Sequence, residues 1–214
     1  IGNGVIINPE VLWQEIKLLE SRVGKKHARL LISHKAHLIM PWHIIRDGIG
    51  GAKIGTTMRG IGPTYTDYVN RRGIRIMDTD NKARFRQRVK QEISWNKKLI
   101  KAMLDFNKVP LSERKKLKLR VNLAEKKIVD KYWYWLRKIK NNHLIKTGDV
   151  SLFLNKLQGR GEGILFEGAQ ATLLDINHGT YPFVTSSNPT IGGLYTGTGF
   201  RPRGLKAYGV VKAY

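Results

Sequence analysis

The 214-residue chain carries 39 Lys and Arg against 16 Asp and Glu, a formal net charge of +23, with 41% apolar residues and no cysteine. That length supports one hydrophobic core with room for an insertion. The composition excludes disulfide frameworks and thiolate metal sites, and no apolar run approaches the length of a membrane span. The first residues, Ile1-Gly2-Asn3-Gly4, lack the basic region and cleavage site of a secretory signal, so a cytoplasmic location is expected. The positive charge raises nucleic acid or acidic membranes as partners. Its pairs at Lys25-Lys26, Lys97-Lys98, Lys115-Lys116 and Lys126-Lys127 are dispersed rather than striped. Compositional drift in an AT-rich genome, or a face for anionic substrates, accounts for them better than a nucleic-acid role.

Gly4-Val5-Ile6-Ile7 reads as a strand. Asn8-Pro9-Glu10 then starts a helix, with Asn as cap, Pro in the first turn and an acid at the positive end of the dipole. Leu12, Ile16 and Leu19 form its core face and Gly24 closes it. Arg29 to Ser33 is a strand, Ala36 to Met40 is apolar, and a short helix starts at Pro41. His34, His37 and His43 invite a metal hypothesis, but no Cys or paired carboxylate accompanies them, so no metal site is expected.

Residues 48–63, GIGGAKIGTTMRGIGP, form a loop whose amides can approach an anion closely, with Thr56, Thr57 and Arg59 as further donors. No Gly-Lys-Ser/Thr closes it, so it is not a Walker A loop, and a glycine loop without ligand stays open as a reading. From Asn81 the chain is helical and basic, ending before Pro110. Ser112-Glu113 begins another helical stretch through Val121, Ile128, Tyr132, Leu136 and Ile139. Its Tyr132-Trp133-Tyr134-Trp135 run is read as an aromatic packing face rather than a base-stacking surface. Asp149 to Leu157 is one more helix, with Asp149 or Ser151 as cap.

The apolar run Gly163-Ile164-Leu165-Phe166 reads as a buried strand ending in Glu167-Gly168-Ala169-Gln170. Carboxyl ends of strands are where open α/β sheets bind ligands. Leu173-Leu174-Asp175 follows, then the turn His178-Gly179-Thr180-Tyr181-Pro182 and the polar run Thr185-Ser186-Ser187-Asn188, which can cap a helix, cradle a phosphate or serve as plain turn chemistry. Asp175 and His178 are read as structural, holding the turn through side chain to backbone bonds. Gly192 to Gly199 reads as a further glycine-rich loop. Gly209 to Tyr214 reads as a last strand, so the chain begins and stops on strands and is expected to be a central piece of a longer protein.

Two stretches carry a resemblance. The run from Phe166 to Asn188, together with Ile54-Gly55-Thr56-Thr57, Arg59-Gly60-Ile61-Gly62-Pro63, Tyr65, Asp67 and Arg71-Arg72-Gly73, resembles the adenylosuccinate synthetase family. Two positions depart from its pattern: Met58 stands where the family has glycine, and Tyr68 where it has lysine. The resemblance implies a GTP-dependent ligase that joins IMP and L-aspartate in AMP synthesis, acts as a homodimer and uses Mg²⁺ bound outside this chain. It implies an α/β fold with a mainly parallel central sheet flanked by helices, divided as residues 1–80, a basic helical insertion 81–158, and a return to the α/β core at 159–214.

In that family an aspartate takes the proton from IMP N1, and O6 attacks the GTP γ-phosphate. The amine of L-aspartate then displaces the phosphate while a histidine and Mg²⁺ stabilise developing charge. The loops carrying that aspartate and histidine, the Thr-Thr-Arg-Val-Gly loop and the guanine-recognition region have no counterpart here, so no catalytic residue is expected on this chain. The resemblance assigns substrate binding to Thr57, Arg71, Gln170 and Thr185. Thr57 holds the IMP phosphate, Arg71 reaches it from the partner subunit, and Gln170 and Thr185 hydrogen-bond IMP. A truncated, inactive remnant of such an enzyme and a basic nucleic-acid-binding module are the alternative readings.

Overall fold

The computed structural model describes residues 1–24, 28–50, 55–114 and 123–213. Lys25-Lys26, Lys115-Lys116, Val121, Tyr214 and residues 51–54 of the glycine loop lie outside the described residues. Among the described residues, four strands form two parallel pairs. β1 (Ile6–Ile7) pairs with β3 (His37–Leu38), and β2 (Leu30–Ser33) pairs with β4 (Ile145–Gly148) in the register Leu30 to Ile145 through Ser33 to Gly148. Parallel pairs need long crossovers, and here they are helical. α1 (Pro9–Val23) precedes β2, while α2 (Pro41–Gly50), α3 (Ile61–Val69), α4 (Lys82–Phe106) and α5 (Glu125–Lys140) all fall between β3 and β4. α6 (Val150–Gly159) and α7 (Ile191–Thr198) follow.

The helix starts follow local chemistry. Asn8 accepts from the amides of Glu10 and Val11, Asn81 from Arg84, and Asp149 from Leu152, each satisfying a donor the helix leaves orphaned. Gly24 ends α1 at φ 77°, a left-handed value that costs glycine little. Such caps contribute about 1 kcal/mol each, but burial fixes where the helices lie. Phe85, Val89, Ile93, Ile100 and Leu104 of α4 meet Ile128, Val129, Tyr132, Leu136 and Ile139 of α5. Both rows join Ile16, Ile32, Leu38, Trp42 and Ile145 in one core. The buried Tyr132 hydroxyl donates to Ile39 O at 2.6 Å, and burial raises its pKa. Tyr132 is therefore a packing residue, while Tyr134 of the same run is exposed.

Several expectations are corrected. Gly163 to Phe166 is no strand: the run has no ladder partner among the described residues, and Leu165 is 91% exposed. Residues 209–213 likewise form no strand, and Val210 is fully exposed. Apolar β-branched residues supply propensity, but a strand forms only where a neighbour takes up its backbone groups. The first expected strand is shorter than its sequence suggests, running Ile6–Ile7, whereas β4 was not expected, because Ile145 is its one large apolar side chain.

Gly192 to Gly199 lies in α7 rather than a loop. There a side chain at Gly193 would strike Asn188 O at 1.8 Å, so glycine permits the approach that seats the helix. The helical stretch expected from Ser112 through Ile139 is interrupted: residues 111–114 are helical, Leu123 and Ala124 are not, and α5 begins at Glu125.

Candidate functional site

The glycine loop, α3 and the turn after it form one continuous construction. Residues 55–59 are exposed, with the Met58 amide donating to Thr56 Oγ1 at 3.4 Å. Thr57 is exposed beside it, open to a ligand. Gly60 then turns inward at φ 83°, donating to Asp47 Oδ2 at 2.8 Å, and a methyl group there would lie 3.0 Å from Ile44 N. α3 begins at Ile61 with no side-chain cap, so its first turn is favourable ground for an anion.

The distant polar run meets this helix start. A methyl at Gly62 would stand 3.1 Å from Ser186 Oγ, a tight contact, so the two segments lie closely against each other here. Thr185, next in sequence, is held by its amide, which donates to Leu174 O at 2.8 Å. The thread between these points is a hydrogen-bonded turn centred on Asp175. This carboxylate accepts from the amides of Asn177 (2.8 Å) and His178 (3.1 Å), from Thr190 Oγ1 (3.2 Å) and from Asn188 Nδ2 (3.4 Å). Burial would raise the Asp175 pKa, but these donors outweigh it and hold the carboxyl below its usual range. The structural reading of Asp175 fits this geometry. His178 contributes its amide, with its side chain exposed. The four-residue run Thr185 to Asn188 does not cap a helix directly; Thr190 stands at the start of α7.

Gln170 lies at the end of the expected strand, exposed, in left-handed backbone at φ 73°. Arg71 is also left-handed, at φ 61°, and exposed. Left-handed conformations are uncommon and costly for residues with a Cβ, and they concentrate where a side chain must be aimed. Thr57 and Arg71 lie in sequence beyond opposite ends of α3, whose nine residues make a helix roughly 13 Å long at the usual rise. The structure thus gathers the Thr57 loop and the Thr185 segment around the start of α3 and places Arg71 at its other end.

Beneath α3 is a polar network with no counterpart in the sequence reading. Met40 N–H donates to His43 Nδ1 at 2.9 Å, which fixes that nitrogen as an acceptor, so Nε2–H donates to Asp67 Oδ2 at 3.0 Å. Arg46 Nη1 donates to Asp67 Oδ1 at 2.6 Å and to Asn96 Oδ1 at 3.2 Å. All four side chains are buried. Burial lowers the His43 pKa despite the raising effect of Asp67. Burial would raise Asp67, but hydrogen bonds from His43 and Arg46 and their charges bring it below the usual carboxylate range. The available signal was the spacing of His43, Arg46 and Asp47 on one helix beginning at Pro41, which puts three polar groups within one turn of each other.

Two of the three histidines are engaged with protein groups. His43 is committed to Asp67, and His37 packs edge-on against Tyr68 with centroids 4.6 Å apart. No group of three or more His, Cys, Asp or Glu is placed to hold a metal among the described residues. A cleft of about 610 Å³ opens elsewhere, between α1 and α5, where Lys138 lies over the rings of Trp13, Tyr134 and Trp135. It shares no residue with the loop and turn just described.

Comparison with known proteins resolves the class. The family model described as adenylosuccinate synthetase matches residues 1–214. The adenylosuccinate synthetase of Bifidobacterium adolescentis is 43% identical over 220 residues, which cover 100% of this chain and 47% of that protein. That of Pasteurella multocida is 44% identical over 223 residues, with the same coverage of both. The structure of fully ligated adenylosuccinate synthetase from Plasmodium falciparum aligns with a TM-score of 0.63 at 33% identity. That alignment covers 94% of this chain and 43% of the other. The fold is the α/β fold of that enzyme, with parallel strands flanked by helices. The chain belongs to the adenylosuccinate synthetase family, and it spans about half the length of the curated relatives it matches.

Proposed function

We propose that this chain supplies the IMP-binding portion of a GTP-dependent ligase that joins IMP to L-aspartate, acting as a homodimer in the cytoplasm. Thr57 holds the IMP phosphate, Gln170 and Thr185 hydrogen-bond IMP, and Arg71 reaches the phosphate bound by the partner subunit. The observation that carries this reading is the approach of Gly62 to Ser186 Oγ, which brings the loop of Thr57 and the segment of Thr185 to one uncapped helix start. The placement of Arg71 beyond the far end of α3 supports a role at a different site from Thr57. Arginine suits that role because its planar fork can bind two phosphate oxygens.

The division of labour follows the chain. Residues 1–80 bring the phosphate loop, the helices within 81–158 brace it, and 159–214 bring the groups that hydrogen-bond IMP. What these residues do is bind and orient, and an oriented nucleophile removes much of the entropic barrier to a two-substrate reaction. Mg²⁺ in this family neutralises charge on the transferring phosphate. Its ligands, like those of GTP, are expected outside this chain by the family resemblance.

The test is IMP binding by calorimetry with Gln170→Ala. Loss of a buried ligand hydrogen bond weakens affinity by about tenfold or more, while thermal stability stays near that of the parent because Gln170 is exposed. Unchanged affinity would remove Gln170 from the site.

A further inference from the structure

Arg71 has an exposed side chain with no hydrogen bond or ion pair among the described residues, yet its neighbours are clamped from three directions. From above, Arg72 pairs with Glu92 at 3.1 Å and lies over the Trp95 ring, 4.6 Å from its centroid. From the side, Arg88 Nη2 donates to the carbonyls of Arg72 and Gly73, each at 3.3 Å. Gly73 is pressed against His37, whose ring would be 2.4 Å from any Cβ placed there. From below, the carbonyl of Asp67 accepts both the Arg72 amide (2.8 Å) and the Gly73 amide (3.0 Å). That third clamp closes the turn, and it belongs to the residue whose side chain His43 and Arg46 hold in the interior.

We infer that Asp67 is a positioning residue for Arg71: its buried carboxylate locks its main-chain carbonyl, and that carbonyl holds the turn which aims Arg71 outward. The logic is one of preorganisation. A left-handed arginine is unfavourable in isolation, so without an internal lock the turn relaxes and the guanidinium samples directions away from the phosphate. The inference rests on the reading of Arg71 as a phosphate ligand, and it adds that the interior residue sets the affinity without touching the ligand.

Asparagine at position 67 is the informative change. In either orientation its amide N–H would face a donor, His43 Nε2–H or the Arg46 guanidinium, and His43 cannot reverse its tautomer because Met40 N–H already requires an acceptor at Nδ1. The experiment is a double-mutant cycle on IMP affinity in the purified protein, with Asp67→Asn, Arg71→Ala and both together, and thermal stability recorded for each. We expect each single change to weaken IMP by about tenfold, and the pair to be no weaker than Arg71→Ala alone, which is the signature of one residue acting through the other.

Equal loss from Asp67→Asn in both backgrounds, or full affinity in a folded Asp67→Asn protein, overturns the positioning role while leaving Arg71 as a ligand. Full affinity in Arg71→Ala overturns the phosphate assignment and the positioning role with it. Should Asp67→Asn not fold, Arg46→Lys loosens the same lock more gently. Its affinity loss is expected to vanish in the Arg71→Ala background, and persistence there counts against the lock. A purely structural role would lower thermal stability in every background without this dependence on Arg71.

Discussion

The first three-quarters of the chain and the last quarter are built on different principles. Residues 1–160 share one apolar core running from Ile7 through Trp42 and Phe85 to Ile145. From 161 to 213 only Asp175 and Phe200 are buried, and the segment is shaped by hydrogen bonds about Asp175 and by the stacking of Phe166 on Phe200, 5.9 Å apart. The second region nevertheless carries a dense motif. Motif density and packing therefore need not coincide.

The sharpest way to break that contrast is to empty the core. Phe85→Ala is expected to cost about 3–5 kcal/mol, because Phe85 is fully buried between α4 and its neighbours; urea denaturation reads the loss. A cost below about 1 kcal/mol, outside that range, would show that the core is not the source of stability. Asp175→Ala should act the other way round. Amide exchange should speed up across residues 173–190 while the cooperative unfolding of the core changes little. Global unfolding would mean that the two regions fold as one.

Acidification separates the regions again. Burial, with the charges of Arg75 and His43, lowers the His37 pKa from 6.5 to about 4. Between these values the unfolded chain binds a proton that the folded chain refuses. Stability therefore rises with pH across that window and is lost on going from pH 7 toward pH 4. His43, also lowered, adds in the same direction. Asp67 and Asp175, with depressed carboxyl pKa values, hold stability above the unfolded carboxylate pKa and lose it as pH falls through their folded values. A melting temperature flat from pH 7 to 5 would refute the assignment of neutral, buried imidazoles, and His37→Gln should flatten the upper part of the curve.

The smallest effect is local. Met58 holds φ 54°, where glycine pays no steric cost, so Met58→Gly is expected to relieve about 1 kcal/mol of strain at the exposed loop. Glycine also adds disorder to the unfolded chain, which offsets part of that gain. Thermal stability within a degree or two of the parent, with tighter IMP binding, is the anticipated result. Weaker binding would mean that the methionine side chain itself is used.

Much of the first region was legible because its signals are local. Asn8-Pro9, Asn81 and Asp149 announce helix starts, and each accepts the amide bonds that this chemistry requires. The second region misled where the same residues satisfy two readings. Leu165 and Val210 have strand propensity without a partner strand, and Gly192-Gly193 reads as a loop when it is a helix packed where a Cβ cannot fit. Of the candidate site, Thr57, Arg71, Gln170 and Thr185 came from motif resemblance. The left-handed backbone at Arg71 and Gln170 did not, since no side-chain pattern encodes a positive φ for those residue types. Nor did the lock on Asp67, because it depends on Met40, His43, Arg46 and Asn96 converging from α2, α4 and the bend before α2.

Asn3 carries a consequence for the order of assembly. Its amide donates to Ser151 Oγ and to Thr198 O, while its oxygen accepts from Ser33. The two partners in the second of those bonds stand 195 positions apart. On a ribosome the segment around Asn3 must wait for these partners until the carboxyl end of α7 has been synthesised and has left the exit tunnel. Closure of that clasp is then a late event in folding, and contacts of such long range make the slow steps of a chain's maturation.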